Sequence, residues 1–163
     1  MELKQRLNPK YVFIGLYILA FLAYVIYGLQ PADAVESYVV SGNLRIPSIG
    51  LDSDVTTIGL DYGELHTPDT IVGSYTRNHN KTLLIGHAGT VFENLHNTRL
   101  GDKIYLDGEE YTIDSINLSV KEDIDMLELL SESPKKTLVL MTCAGDMLEG
   151  GDATFRLIVT ASV

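Results

Sequence analysis

A cysteine, a histidine and an arginine in this sequence have the types and positions of a thiol-based catalytic site. Cys143, the only cysteine of the chain, ends the apolar run VLMTC and precedes Ala144-Gly145. His87 ends the apolar run LLIGH and precedes Ala88-Gly89. Two strand ends therefore present a thiol and an imidazole beside small residues that leave room for a substrate. A nearby histidine is a common means of converting a thiol into a nucleophilic thiolate.

Arg156 is the third candidate, and it lies inside the otherwise apolar run TFRLIVTA. Strand alternation places Phe155 and Leu157 on one face and Arg156 and Ile158 on the other. An arginine in such a strand is costly unless it is paired or faces a groove. The side chain is therefore either half of a structural ion pair or a five-donor fork directed at a carbonyl or an oxyanion.

A single cysteine cannot form an intramolecular disulfide, so the thiol is inert in a core, joined to another chain, or reactive. The remaining histidines, His66, His79 and His96, lie in polar contexts that are typical of solvated side chains. A zinc site that combined His66 and His79 with His87 and Cys143 lacks any recognised ligand spacing.

Short apolar runs bounded by turn residues predict the strands that position these side chains. Residues 82–86, 137–143 and 154–161 are typical of core strands. Residues 43–51, NLRIPSIGL, alternate apolar and polar side chains and are interrupted by Pro47, which predicts an edge strand.

The segment KIYLDGEEYTIDSI predicts a hairpin, because Asp107-Gly108 separates two alternating runs. Only residues 90–98, TVFENLHNT, and 123–131, DIDMLELLS, have helical patterns, each about two turns long. The fold class is therefore mainly β, a barrel or sandwich with short helices in its connections.

An apolar segment near the N-terminus predicts a membrane anchor. Residues 11–29 carry no charge and as a helix span about 28 Å, which matches the hydrocarbon core of a bilayer. Basic residues precede the segment and acidic residues follow it, which favours a cytoplasmic N-terminus, residues 1–10, and an extracellular remainder. Residues 30–42 are typical of a linker, and 43–163 form one domain. A cleaved signal peptide ending at Ala32-Asp33-Ala34 is the alternative.

The charge of the chain excludes one class of partner. With 22 acidic and 12 basic residues, the formal net charge is −10. Nucleic-acid binding relies on neutralising phosphates with lysine and arginine, so this composition argues against a nucleic-acid partner.

The motifs resemble those of the sortases, the membrane-anchored cysteine transpeptidases of Gram-positive cell surfaces. LLIGH and VLMTC, with an arginine thirteen positions after the cysteine, are similar to the TLxGH, TLxTC and downstream arginine of that family. The segments LRIPSIGLDSDV and FENLHNTRLGDKIYLDGEEYTI also resemble it, so the resemblance covers residues 43–163. Leu83 and Val139 stand where the family motifs begin with threonine.

The resemblance implies a closed sortase-type β-barrel and a cysteine transpeptidase that needs no metal or organic cofactor. Cys143 would attack the carbonyl of an LPxTG-like sorting motif and form a thioacyl enzyme. His87 would protonate the leaving amine and later deprotonate the incoming one. Arg156 would hold the substrate or the oxyanion, and Thr142 and Ala144, beside the nucleophile, would contact the substrate.

The implied partners are secreted proteins with a C-terminal sorting signal and an amine acceptor, either a peptidoglycan precursor or a pilin lysine. The short linker leaves little room for an inhibitory lid, so surface-protein anchoring is expected rather than pilin polymerisation. A thiol hydrolase and a catalytically idle, membrane-tethered binding module are the alternatives.

Overall fold

The computed structural model describes residues 17–22, 38–61, 64–147 and 153–163. They belong to two compact units, Met1–Ser37 and Tyr38–Val163. Only the second contains the candidate catalytic residues.

The predicted anchor falls in the first unit, where only residues 17–22 are described, and these six are helical. The rest of the predicted span 11–29, and the linker up to residue 37, lie outside the described residues. Among the helices that the structure describes, none has the length and apolar character needed to cross a bilayer.

The second unit is a closed barrel with the strand order β1-β2-β5-β6-β9-β10-β8-β7, beside a two-stranded sheet of β3 and β4. The pairs β2–β5 and β6–β9 are parallel, and the other pairs are antiparallel. The prediction of a mainly β, closed barrel is therefore confirmed. The strands are β1 Val40–Ile46, β2 Leu51–Thr57, β3 Leu60–Asp61, β4 Glu64–Leu65, β5 Val72–Asn78, β6 Lys81–Ile85, β7 Lys103–Leu106, β8 Glu109–Val120, β9 Thr137–Met147 and β10 Ala153–Ser162.

The predicted core strands β6, β9 and β10 are confirmed, and they are apolar on both faces. On one face Leu84, Leu140 and Val159 join the main core cluster inside the barrel. On the other face Leu83, Val139 and Ile158 belong to a second cluster with Leu130, from the connection between β8 and β9. Strands buried on two faces have nearly continuous apolar runs. Leu130 and several partly buried side chains of this outer cluster line a groove on the same face of the barrel.

The prediction of an edge strand over residues 43–51 is wrong. Its first half belongs to β1, which pairs with β2 on one side and with β7 on the other. Barrel closure leaves this strand no open edge. Pro47 does not lie in a strand at all, because it opens a 3₁₀-helix, Pro47–Ile49, that ends at Gly50 in the left-handed conformation.

The predicted hairpin at Asp107-Gly108 is confirmed as the turn between β7 and β8. Both turn residues have positive φ, 52° and 83°, as a type I′ turn requires. Near the start of β8, Glu109 accepts hydrogen bonds from Lys136 and Tyr111. Both bonds lower the pKa of Glu109, and the bond from Lys136 has the larger effect. Burial, together with the bond to Glu109, raises the pKa of Tyr111 to about 12.

The prediction of a helix over residues 90–98 is wrong. The backbone makes successive turns, and only Leu95–Asn97 form a 3₁₀-helix. The apolar spacing that suggested a helix comes from Phe92 and Leu95, which are both buried in the main core. Nearby, the carbonyl of His87 accepts bonds from the amides of Thr90 and Phe92, which tightens the chain into turns.

The second predicted helix, over residues 123–131, is confirmed in part. The α-helix α1 covers only Met126–Leu129 and follows a 3₁₀-helix, Lys121–Asp123. Asp125 caps α1, because its carboxylate accepts bonds from the amides of Leu127 and Glu128. This short helical segment stands over the outer cluster and forms one wall of the groove.

Candidate active site

A parallel strand pair brings His87 and Cys143 to the same end of the barrel. In the β6–β9 register, Ile85 pairs with Met141, and each candidate lies two residues further along its chain. The hydroxyl of Thr142 donates a 2.7 Å hydrogen bond to the carbonyl of Gly86. This bond links the residues that immediately precede the thiol and the imidazole.

Arg156 lies directly opposite Cys143, in the antiparallel register of β9 and β10. Directly opposed residues project to the same face of a sheet, so the guanidinium and the thiol share the outer face. Nη1 of Arg156 donates to the carbonyls of Ala153, at 2.8 Å, and Phe155, at 3.0 Å. The side chain is half-buried, and these two bonds orient it along its own strand.

Cys143 is a free thiol and is half-buried, at the end of the outer face that also carries Val139 and Met141. A reactive cysteine needs this partial exposure, whereas an inert core thiol is enclosed. Within the described ranges, no three His, Cys, Asp or Glu side chains are grouped so that they could hold a metal ion.

Asp69 is a neighbour of His87 that the sequence analysis missed. Its Oδ1 lies 3.7 Å from Nε2 of His87, and the two side chains are 81% and 45% exposed. Thr90 joins the two segments, because its hydroxyl donates to the carbonyl of Asp69 at 2.7 Å and its amide donates to the carbonyl of His87. Asp69 is therefore placed to support a protonated imidazole. Asp69 could not be predicted because the sequence did not indicate the β5–β6 hairpin. This hairpin pairs Gly73 with Ile85 and so brings the residues before β5 beside those after β6.

Asp69→Asn is expected to lower kcat about two- to five-fold at low ionic strength, with KM nearly unchanged, because an exposed ion pair contributes little. The measurement is steady-state transpeptidation at two salt concentrations. Asp54→Asn, which removes an exposed carboxylate on β2, is the matched control. An Asp69→Asn enzyme that matches the control at low salt would exclude Asp69 from the site.

Thr142 and Ala144 flank the thiol, but the structure turns both side chains away from the outer face. Thr142 is 5% exposed and makes the bond to Gly86, and Ala144 packs against the main core cluster. Gly145, which was expected to leave room for substrate, is instead needed for the local backbone conformation. Its φ is +79°, and an added Cβ would lie 2.9 Å from the ring of Phe155. Substrate contacts at these positions would have to come from backbone atoms.

Thr142→Val is expected to lower the free energy of unfolding by about 1–3 kcal/mol, because it removes the donor that Gly86 uses in a buried position. Chemical denaturation measures this difference. Thr160→Val is the control, since Thr160 is a half-buried threonine of β10. Equal losses in the two variants would show that the Thr142 bond contributes nothing specific.

A groove of about 590 Å³ lies on the outer face, and Met141 and Arg156 place one end of it beside Cys143. Strand β5, the sheet of β3 and β4 and the segment around α1 contribute its other lining residues. Most of the lining is apolar, including Leu60, Leu65, Ile124, Met126, Leu130 and Met141. Its charged residues are Arg77, Lys121 and Arg156. Cys143 itself is not a lining residue, but an apolar groove that ends beside a thiol can hold an extended peptide and bring one of its carbonyls to the sulfur.

A thiol, an imidazole and a guanidinium at one end of a β-barrel are the groups that acyl transfer through a cysteine nucleophile uses. The family model of the sortase domain matches residues 44–163. The chain therefore belongs to the sortase family, whose members are cysteine transpeptidases.

Solved structures with a similar fold are also sortases. A lid mutant of sortase A from Corynebacterium diphtheriae is 26% identical, with a TM-score of 0.58, over 85% of this chain and 77% of that one. Sortase C2 of pilus island 1 from group B Streptococcus is 22% identical, with a TM-score of 0.60, over 78% and 76%. Sortase A from Listeria monocytogenes is 18% identical, with a TM-score of 0.58, over 76% and 86%. The comparison with curated proteins found no match.

Proposed function

We propose that this sortase cleaves an LPxTG-like sorting motif in secreted proteins and joins the acyl fragment to an amine on the cell surface. The observation that carries the proposal is the register that sets Arg156 opposite Cys143, with His87 at the same end of the adjacent parallel strand. Family membership supplies the reaction class, and the apolar groove beside the thiol suits a peptide substrate.

In the acylation step, the Cys143 thiolate attacks the scissile carbonyl carbon. The carbonyl π electrons move to oxygen, and Arg156 stabilises the resulting oxyanion or holds the adjacent peptide. The tetrahedral intermediate collapses when the C–N bond breaks and the imidazolium of His87 gives its proton to the leaving amine. The product is a thioester on Cys143.

In the transfer step, the amine of the acceptor attacks the thioester carbonyl. His87, now neutral, takes the proton from the incoming nitrogen, and Cys143 leaves as a thiolate. The thiolate and the imidazolium are both restored, so the cycle closes without a metal or a redox cofactor. Asp69 supports the imidazolium at each stage in which His87 carries a proton.

The catalytic domain is proposed to lie outside the cell on a single N-terminal membrane span. The uncharged stretch at residues 11–29, with basic residues before it, supports this topology. A retained anchor would hold the thiol where secreted proteins emerge. N-terminal sequencing of the mature protein distinguishes the anchor from a signal peptide cleaved after Ala34.

The acceptor is proposed to be a peptidoglycan-type amine. Pilin polymerisation is the second candidate, because solved structures with the same fold include a sortase C2 from a pilus island. Hydrolysis, in which water replaces the amine, is the third outcome open to a thioester enzyme.

Product analysis tests these candidates. The full-length enzyme, purified in detergent, is incubated with LPxTG peptides in which x is varied over neutral residues, with and without triglycine or a lysine-containing pilin peptide. The proposal expects a new amide product with triglycine at the expense of free acid. Free acid alone, unaffected by either amine, would identify a hydrolase, and no cleavage of any peptide would overturn the proposal.

A further inference from the structure

The groove concentrates positive charge in an acidic protein. The chain has 22 acidic and 12 basic residues, yet the charged residues that line this groove are Arg77, Lys121 and Arg156, and no described carboxylate lines it. Arg156 has a proposed catalytic role beside Cys143, whereas Arg77 has no role in the proposed mechanism. Arg77 is exposed, and it takes part in none of the ion pairs found among the described residues.

Arg77 lies at the end of the groove that is far from the thiol. On β5 it follows Thr76, which pairs with Thr82 near the start of β6, whereas His87 follows the other end of β6. A strand rises about 3.3 Å per residue, so the distance along the sheet from the catalytic end to Arg77 is roughly 20 Å. An extended peptide has a similar rise and spans that distance with about five or six residues.

The stretch between the two ends is apolar. Tyr75 lies two residues before Arg77 on the same strand, and Met141 lies two residues before Cys143; both belong to the groove and to the outer cluster. A peptide that reaches Arg77 therefore crosses an apolar surface first. Such a surface selects apolar side chains near the scissile bond, and a guanidinium beyond it selects a carboxylate.

We propose that Arg77 is a specificity-determining residue that binds an acidic side chain of the sorting signal, about five or six residues from the bond that Cys143 attacks. The inference rests on the proposed function, because it assumes that the sorting peptide lies in this groove. It adds the chemical class of a second recognition element, outside the LPxTG-like core.

The expected preference is modest, because Arg77 is exposed. Exposed ion pairs correspond to about two- to five-fold in an equilibrium constant, so a glutamate in the favoured position should raise kcat/KM by about that factor over glutamine. The preference should decline with added salt, since exposed charges are screened.

The test is a positional scan with peptides that contain LPATG in a neutral serine–glycine sequence. The two peptides of each pair differ at a single position, which is glutamate in one peptide and glutamine in the other. This position is moved through the eight residues on either side of the core. Acylation of the full-length enzyme is followed by mass spectrometry. We expect the Glu/Gln ratio of kcat/KM to exceed two at one position or two adjacent positions and to fall to one in Arg77→Gln. Arg77→Glu should prefer lysine there.

Arg99→Gln is the matched control, because it removes one exposed positive charge outside the groove and should keep the wild-type ratio. Ratios of one at every position, while acylation of Cys143 proceeds, would overturn this inference and leave the proposed function intact. A preference that persists in Arg77→Gln would also overturn it. Failure of every peptide to acylate Cys143 would overturn the proposed function and this inference together.

Discussion

Cys143→Ala is expected to abolish transpeptidation and to leave the fold intact. Without the sulfur no thioester can form, and loss of a covalent nucleophile typically costs on the order of 10⁶-fold in kcat. The fold should survive because Cys143 is half-buried at the outer face, while the neighbouring Thr142 makes the buried bond that links β9 to Gly86.

Two measurements on the same preparation decide this prediction. Amide product from an LPxTG peptide and triglycine is quantified by liquid chromatography, and far-ultraviolet circular dichroism gives the melting temperature. We expect no detectable product and a melting temperature close to that of the wild type. Turnover retained in a folded Cys143→Ala enzyme would show that the reaction does not proceed through this thiol.

Arg156→Lys is expected to lower kcat/KM by about 100- to 1,000-fold, the usual effect of losing one oxyanion donor. Lysine keeps the charge but loses the planar fork with which Arg156, paired opposite Cys143, would hold the oxyanion in the proposed mechanism. In the structure, Nη1 is also tied to the carbonyls of Ala153 and Phe155. A lysine ammonium that took over these bonds would have no second nitrogen to offer the substrate.

A purely structural role for Arg156 predicts the opposite pattern. The melting temperature would then drop, and activity per folded molecule would be nearly unchanged. Thermal denaturation and steady-state kinetics on the same variant separate the two roles. A stable Arg156→Lys enzyme with near-normal kcat/KM would remove Arg156 from the catalytic set and leave oxyanion stabilisation to backbone donors.

The sequence predicted the strands that lead to His87 and Cys143 because those strands are buried on both faces and so have continuous apolar runs. Their ends were predicted less well, since β6 ends at Ile85 and β9 continues past Cys143 to Met147. It did not predict β5, since VGSYTRN has a polar second half and no clear alternation. Because β5 was not predicted, the hairpin that places Asp69 beside His87 was not predicted either. The position of Arg77 in the groove was missed for the same reason. Side chains contributed by weakly patterned strands and loops become visible only when the pairing of strands is known.

The pairing itself also lay beyond sequence reasoning. Parallel pairing of β6 with β9 joins segments more than fifty residues apart, and no local pattern encodes it. The predicted helix at residues 90–98 failed for a related reason, since Phe92 and Leu95 have a helical spacing but owe it to core contacts made from turns. The membrane span at residues 11–29 stays a prediction.

The mass of the wild-type enzyme, after incubation with an LPxTG peptide in the absence of any amine, shows whether Cys143 is the nucleophile. We predict an added mass equal to the acyl fragment of the peptide, located on Cys143 by proteolytic mapping. Triglycine should remove this mass with release of the amide product. An unmodified Cys143 in an enzyme that nevertheless turns over, or an adduct on another residue, would show that Cys143 is not the nucleophile.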